Sequence, residues 1–208
     1  GIETVTYMLD GHIDHRDSLG NHGTIGPGDV QWMTAGSGIL HEEMPRKAEG
    51  WMQGIQLWVN LPRSNKMMPP RYREIKKEEI PVYDPGRGSS IKVIAGESQG
   101  LVGPVKDLVV DVKYLDVTLH SGVVLEHEIP KDRNAFLYVY EGEMMLGNRM
   151  PRKVPAGNVA VLGEGDAMKF AVGRKPVKFM FASAKPLKEP IAWGGSMVMN
   201  TKEELEQA

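Results

Sequence analysis

Glycine and proline break this chain into pieces too short for most helices. The 24 glycines and 14 prolines of the 208 residues fall between short segments rich in Val, Ile, Thr, Tyr and Trp, the punctuation of many strands joined by tight turns. The segments "ETVTYML", "DVQWMTA", "MQGIQLWVNL", "IKVIAG", "YLDVTLH", "FLYVYEG", "NVAVLG" and "VKFMFASA" read as strands. Helical pattern is confined to "REIKKEEI", after Pro69 and Pro70, and to the terminal "TKEELEQA". In the latter, Thr201 followed three residues on by Glu204 predicts a capping box. It stops after about two turns, short for a free-standing helix, and reads as cut off by the end of the chain. The expected fold class is all-β.

The strands repeat. "TYMLDG" (Thr6–Gly11) has an echo in "LYVYEG" (Leu137–Gly142), and downstream of each lie "GPGDVQWM" (Gly26–Met33) and "PAGNVAVL" (Pro155–Leu162). Gly11 precedes Gly28 by 17 residues and Gly142 precedes Gly157 by 15. Two such units in tandem fit duplicated small barrels, which protect sheet edges by closing or packing. The linker is expected near "EEIPVYDPGRGSS", giving an N-terminal domain over 1–78 and a C-terminal one over 79–208. "GRGSSIK" imitates a phosphate loop without its spacing or its Gly-Lys-Ser/Thr ending, and reads as a turn.

Composition narrows the chemistry. With no cysteine there is no disulfide framework, thiolate zinc site or cysteine nucleophile, so any metal takes nitrogen and oxygen ligands. The 25 basic and 27 acidic residues form no long runs, and "PRKVP" and "REIKK" are too short for a basic stripe, so direct nucleic-acid contact is not expected. No apolar run reaches the roughly 20 residues of a membrane-spanning helix, and nothing directs the chain out of the cell. A cytoplasmic protein is expected, with the nucleus also open in a eukaryote. The chain opens on Gly1, already inside the strand-like "IETVTYMLDG", and so reads as a fragment or processed product.

The stretch with the most chemistry is "GSGILHEEMP", Gly36 to Pro45. On a strand, residues i and i+2 share a face, so His41 and Glu43 point one way and Glu42 the other. If that face lines a barrel, an imidazole and a carboxylate converge there. Such a set suits non-haem Fe(II), with Mn, Ni, Cu and Zn as rivals. The spacing alone is equally met by a hydrogen-bonded histidine at a strand end with two solvated glutamates.

The context extends the motif. The run "ETVTYMLDGHIDHRDSLGNHGTIGPGDVQWMTAGSGILHEEMP" resembles the pirin family of the cupin superfamily along its whole length, and "QLWVNLP", "VLGEGD" and "MVMNT" continue the likeness. The resemblance implies two cupin barrels, with Fe(II) held in the first by three histidines and one glutamate. Two of those ligands match His41 and Glu43. The other two form an H-x-H pair in "H-P-H-R-G", whose glycine matches Gly1, so both would precede residue 1. A pirin truncated at both ends, with weak metal binding, is the expectation. His15, in "HRDS", falls outside the implied iron ligands and reads as structural, and His22 reads as solvated. Glu3 is a weak candidate ligand. Counting from Gly157 as from Gly28 places Phe170 and Val172 where the first unit has His41 and Glu43, so the second unit is expected to have lost its metal site. Gln56, Trp58 and Asn60 share one face of their strand, which either orients the ligands from inside the barrel or simply faces solvent.

The activity implied is that of an iron-dependent quercetin 2,3-dioxygenase. A flavonol would bind through its 3-hydroxyl oxygen, Glu43 would accept the proton as general base, and O2 would open the heterocycle with release of carbon monoxide. The alternative is a metal- or redox-responsive regulator that binds a protein partner and turns nothing over.

Overall fold

All eight segments expected as strands are strands in the computed structural model, whose described residues are 1–46 and 51–208. Among these, the α-helix is confined to Lys202–Gln207, and no helix is long and apolar enough to cross a membrane. The architecture is all-β. The chain divides into two units: Gly1–Glu79 with Leu187–Ala208, and Ile80–Pro186. The last segment thus joins the first unit, whereas its position in the sequence had put it in a C-terminal domain running from 79 to 208.

In the first unit, β1 (Ile2–Asp10) runs antiparallel to strands on both sides. Within 1–79 it is followed by β2 (Ile13–Asp17), β3 (His22–Ile25), β4 (Val30–Thr34), β5 (His41–Pro45), β6 (Gln53–Asn60) and β7 (Arg71–Ile75). They form a four-stranded sheet in the order β6-β1-β4-β7 and a three-stranded sheet in the order β3-β2-β5. β1 is buried on both faces along most of its length, which is why it lacks clean alternation. Ile2, Thr4, Thr6 and Met8 share one of those faces; Glu3, Val5 and Tyr7 share the other.

The sequence pattern misleads at "REIKKEEI". Arg71–Ile75 pairs with β4, Arg71 opposite Thr34 and Ile75 opposite Val30, and only Lys77–Glu79 turn, as a 3-10 helix. Ile75 and Ile80 lie five apart, off any common helical face, so a helix here would have had no apolar stripe to bury. The open edge of β4 offers hydrogen bonds instead, and pairing outweighs propensity.

Lys66 explains why the chain's end belongs with its beginning. Its side chain is almost wholly buried, 1% exposed. Its Nζ donates to the Gly1 carbonyl at 3.0 Å, Asn60 Oδ1 at 2.7 Å and the Val198 carbonyl at 3.0 Å. One ammonium therefore ties the start of β1, the end of β6 and the C-terminal segment. The terminal helix begins as predicted. Thr201 Oγ1 accepts from the Glu204 amide and Glu204 Oε2 accepts from the Thr201 amide, closing the capping box.

The second unit carries a six-stranded sheet, in the order 158–161, 134–141, 177–184, 112–119, 90–95, 82–83, and a four-stranded one, in the order 124–128, 167–172, 143–146, 152–155. Leu115, Val117, Leu137, Val139, Phe170, Phe179 and Phe181 are among the side chains of its core. The repeat seen in the sequence is a repeat of turns. The Gly28 amide donates to the Met8 carbonyl and the Gly157 amide to the Val139 carbonyl, both at 2.8 Å. Both glycines adopt left-handed backbone, φ +90° and +82°.

Candidate metal centre

Register decides which side chains meet. β2 and β5 pair antiparallel, with His15 opposite Glu43 and Asp17 opposite His41. Alternation then gathers His15, Asp17, His41 and Glu43 on one face, and Arg16 and Glu42 on the other, where they face each other at 4.0 Å in solvent. The turn that delivers β5 needs Gly36. Its φ is +52°, and a Cβ there would lie 2.1 Å from the Met68 carbonyl oxygen.

Ligand atoms of His15, His41 and Glu43 all lie within 4.8 Å of one another. The three are not equivalent. His15 is buried, with Nε2 3.2 Å from Asp17 Oδ2, Nδ1 2.6 Å from the Gln31 amide nitrogen, and its ring stacked on Tyr72 at 4.5 Å. With Gln31 donating to Nδ1, the ring keeps its proton on Nε2 and gives it to Asp17, so neither nitrogen is open to a ligand. Burial of Asp17 pushes its carboxyl upward, but hydrogen bonds from Asn21, His15 and Leu19 outweigh it and hold the group ionised below its usual range. Burial, reinforced by Glu74, pushes the Tyr72 phenol well above its ordinary value, so the ring stays neutral.

His41 differs. It is exposed, its ring lies 5.7 Å from that of His15, and its nitrogens form no hydrogen bond with the described residues. Glu43 is half-buried and held by β1 and β6: the Thr6 hydroxyl donates to Oε1 at 3.3 Å and the Gln56 amide to Oε2 at 3.4 Å. Gln56 also donates to Thr6 Oγ1 and accepts from Trp58 Nε1, both at 3.2 Å. The polar face of β6 therefore lines the cluster, and Asn60 from the same row binds Lys66.

Glu3 sits on the opposite face of β1. It accepts from Thr34 Oγ1 at 2.6 Å, with Arg73 at 3.5 Å and Arg71 at 4.0 Å, and takes no part in the cluster. His12 and His22 are exposed and outside it as well. In the second unit Phe170 and Val172 occupy core positions, Phe170 edge-to-face on Phe179 at 5.4 Å. Hydrocarbon fills the place where the first unit has donors. The sequence reading missed His15 as a neighbour of the site because its contact with Glu43 is made across strands.

A cavity of about 410 Å³ opens beside His41, with Gly1, Met33, His41, Gln56, Trp58 and Met197 among its walls. Trp193 packs edge-to-face on Trp58, ring centroids 6.2 Å apart. Imidazole and carboxylate donors without sulfur suit a divalent first-row metal, and His41 and Glu43 have the free lone pairs to hold one.

The family model described as Pirin matches residues 1–59, and that of the pirin C-terminal cupin domain matches residues 114–208. The chain belongs to the pirin family. It is 43% identical over 209 residues to a pirin-like protein of Caulobacter vibrioides, covering all of this chain and 74% of that protein. It is 43% identical over 212 residues to pirin of Mus musculus, covering all of this chain and 72% of the relative. Among solved structures, a quercetin 2,3-dioxygenase of Acinetobacter baumannii superposes with a TM-score of 0.92 at 36% identity, over the whole of this chain and 73% of the other. The bicupin architecture of the family is thus the architecture of this chain.

Proposed function

We propose that this member of the family serves an iron-dependent quercetin 2,3-dioxygenase reaction, with His41 and Glu43 as metal ligands and Glu43 as the proton acceptor. The observation that carries the reading is the pairing of an unengaged imidazole with a carboxylate, the imidazole lining a cavity with aromatic and thioether walls. The 36%-identical relative named as a quercetin 2,3-dioxygenase supports it. Gly1 lines the same cavity, so donors preceding it in a longer chain would reach the site. When bound, the metal supplies the Lewis-acidic and redox-active centre for reaction of the flavonol with O2.

The chain's own residues do the rest. Thr6 and Gln56 fix the Glu43 carboxylate, so that it meets the flavonol 3-hydroxyl in one orientation and accepts its proton. Trp58 and Met33 present an apolar surface to a planar aromatic ligand and exclude water. His15, locked by Asp17 and Gln31, fixes β2 against β5 and hence the spacing of His41 and Glu43. The test is flavonol-dependent O2 uptake by the iron-supplied protein. Glu43→Gln keeps the shape, removes the base and abolishes uptake; undiminished turnover would remove Glu43 from the mechanism.

A second reading, a metal- or redox-responsive protein-binding regulator, is favoured by the apolar rim. Leu40 is 81% exposed and lines the cavity, and Trp193, which packs on Trp58, is 72% exposed. Absence of any O2 uptake by iron-loaded protein would select it.

A further inference from the structure

The second unit has a cleft of its own. On the strand Val124–Glu128, His127 stands opposite the buried Met168 and turns inward, its ring edge-to-face on Phe181 at 5.1 Å. Lys113 stands opposite Ser183 in the row of Leu115 and Val117, the row that faces the core. Arg133 donates to the Asp111 carboxylate, to the Asp111 carbonyl at 2.6 Å and to the Ser183 carbonyl at 3.0 Å. The three side chains line one cavity of about 500 Å³.

The nitrogen atoms here are not used up. Buried His127 Nε2 and Arg133 Nε have no hydrogen-bond partner among the described residues. Lys113 forms no ion pair or hydrogen bond with the described residues, and Asp111, the nearest acid to Arg133, is committed to it. Unpartnered buried donors are rare, and each calls for a reason. Burial and the charge of Lys113 hold His127 down to about 4, and burial together with Arg133 lowers Lys113. Glu97 and Asp111 act on Lys113 in the opposite sense, and burial outweighs them. Glu126 and Glu128 alternate away from His127 and are exposed, as is Glu97. Glu97, Asp111, Glu126 and Glu128 also line the cleft, all four exposed, whereas Lys113, His127 and Arg133 are half-buried. Beside His127 a metal ion would meet the Lys113 ammonium, whereas an oxyanion would meet complementary charge and protons.

We propose that this cleft binds a small oxyanion, a carboxylate or a phosphate, between Lys113 Nζ and the ring of His127, with Arg133 holding the cleft open. The site is independent of the metal centre in the first unit. Neutral His127 donates from Nε2, Lys113 supplies the charge, and Phe181 gives an apolar wall for the body of a carboxylate.

The test is titration of the intact chain with acetate, benzoate and inorganic phosphate at constant ionic strength, read by calorimetry and by the NMR signals of the His127 ring. At least one of the three should saturate and shift the His127 signals, and raise the pKa of that ring from about 4. Lys113→Met or, should that variant not fold, Lys113→Gln should weaken binding tenfold or more, and Lys113→Arg should retain it within about threefold, since Arg keeps the charge and donors. Saturation by acetate or benzoate but not phosphate names a carboxylate ligand, and the reverse names a phosphate. No saturable shift with any of the three, shifts confined to other histidines, or binding unaffected by both Lys113→Met and Lys113→Gln would overturn the proposal.

Discussion

Replacing Lys66 with methionine should loosen the first unit and leave the second intact. Three hydrogen bonds from a buried ammonium are lost, to Gly1, Asn60 and Val198. Bonds from a charged donor contribute about 1.5–3 kcal/mol each, roughly 4.5–9 together. Against that, methionine fills much of the same volume and avoids burying a charge, which costs several kcal/mol. Asn60 Oδ1 and the Val198 carbonyl are then left short of a donor, at about 1–3 kcal/mol each. The balance is a destabilisation of at least about 2 kcal/mol. The assay is built into the sequence: Trp32, Trp51, Trp58 and Trp193 are the four tryptophans, and all lie in the first unit. Urea unfolding followed by tryptophan fluorescence therefore reports that unit. Hydrogen exchange at Leu61 and Val198 should accelerate with it, while the core amides of 112–119 stay protected. A loss below about 0.5 kcal/mol, or equal loosening of both units, would refute the claim that this ammonium holds the C-terminal segment in place.

Three further outcomes are expected. Gly36→Ala places a Cβ against the Met68 carbonyl at φ +52°, and should cost at least about 1–2 kcal/mol by urea unfolding; Gly20→Ala, also left-handed but with open space around it, should cost less. Thr6→Val removes one of the two bonds on the Glu43 carboxylate and should weaken Co(II) or Fe(II) binding about tenfold in calorimetric titration, with little change in fold. His127 is held at about 4, below the usual 6.5, so the unfolded chain binds more protons between those values. Stability should therefore fall as pH drops from 6.5 towards 4, by at most about 3 kcal/mol. His127→Phe should flatten that part of the pH–stability curve, and an unchanged slope would show that another group is responsible.

Much of the fold was legible because the signals that specify it are local. Strand segments bounded by glycine and proline, the echo of "TYMLDG" in "LYVYEG" and the Thr201–Glu204 capping box each depend on residues a few positions apart. The one wrong element, the helix at "REIKKEEI", failed where a distant strand edge at β4 supplied hydrogen bonds that no local pattern records. The same division runs through the site. That His41 and Glu43 share a face follows from the two-residue period of a strand, and the family resemblance pointed to the same glutamate.

The sequence by itself determined the fold class, the nitrogen and oxygen character of any metal site and the likeness to pirins. Each depends on residue type and short spacing, which a linear pattern carries. The tertiary structure alone decided which side chains meet. It brought His15 opposite Glu43 across a strand pair, turned Glu3 to the far face of β1, and drew the last segment back to Gly1 through Lys66. It also set Lys113, His127 and Arg133 around one cleft. Those pairings join residues tens of positions apart, and their register comes from which faces the whole chain buries, a quantity that exists only once the strands are packed.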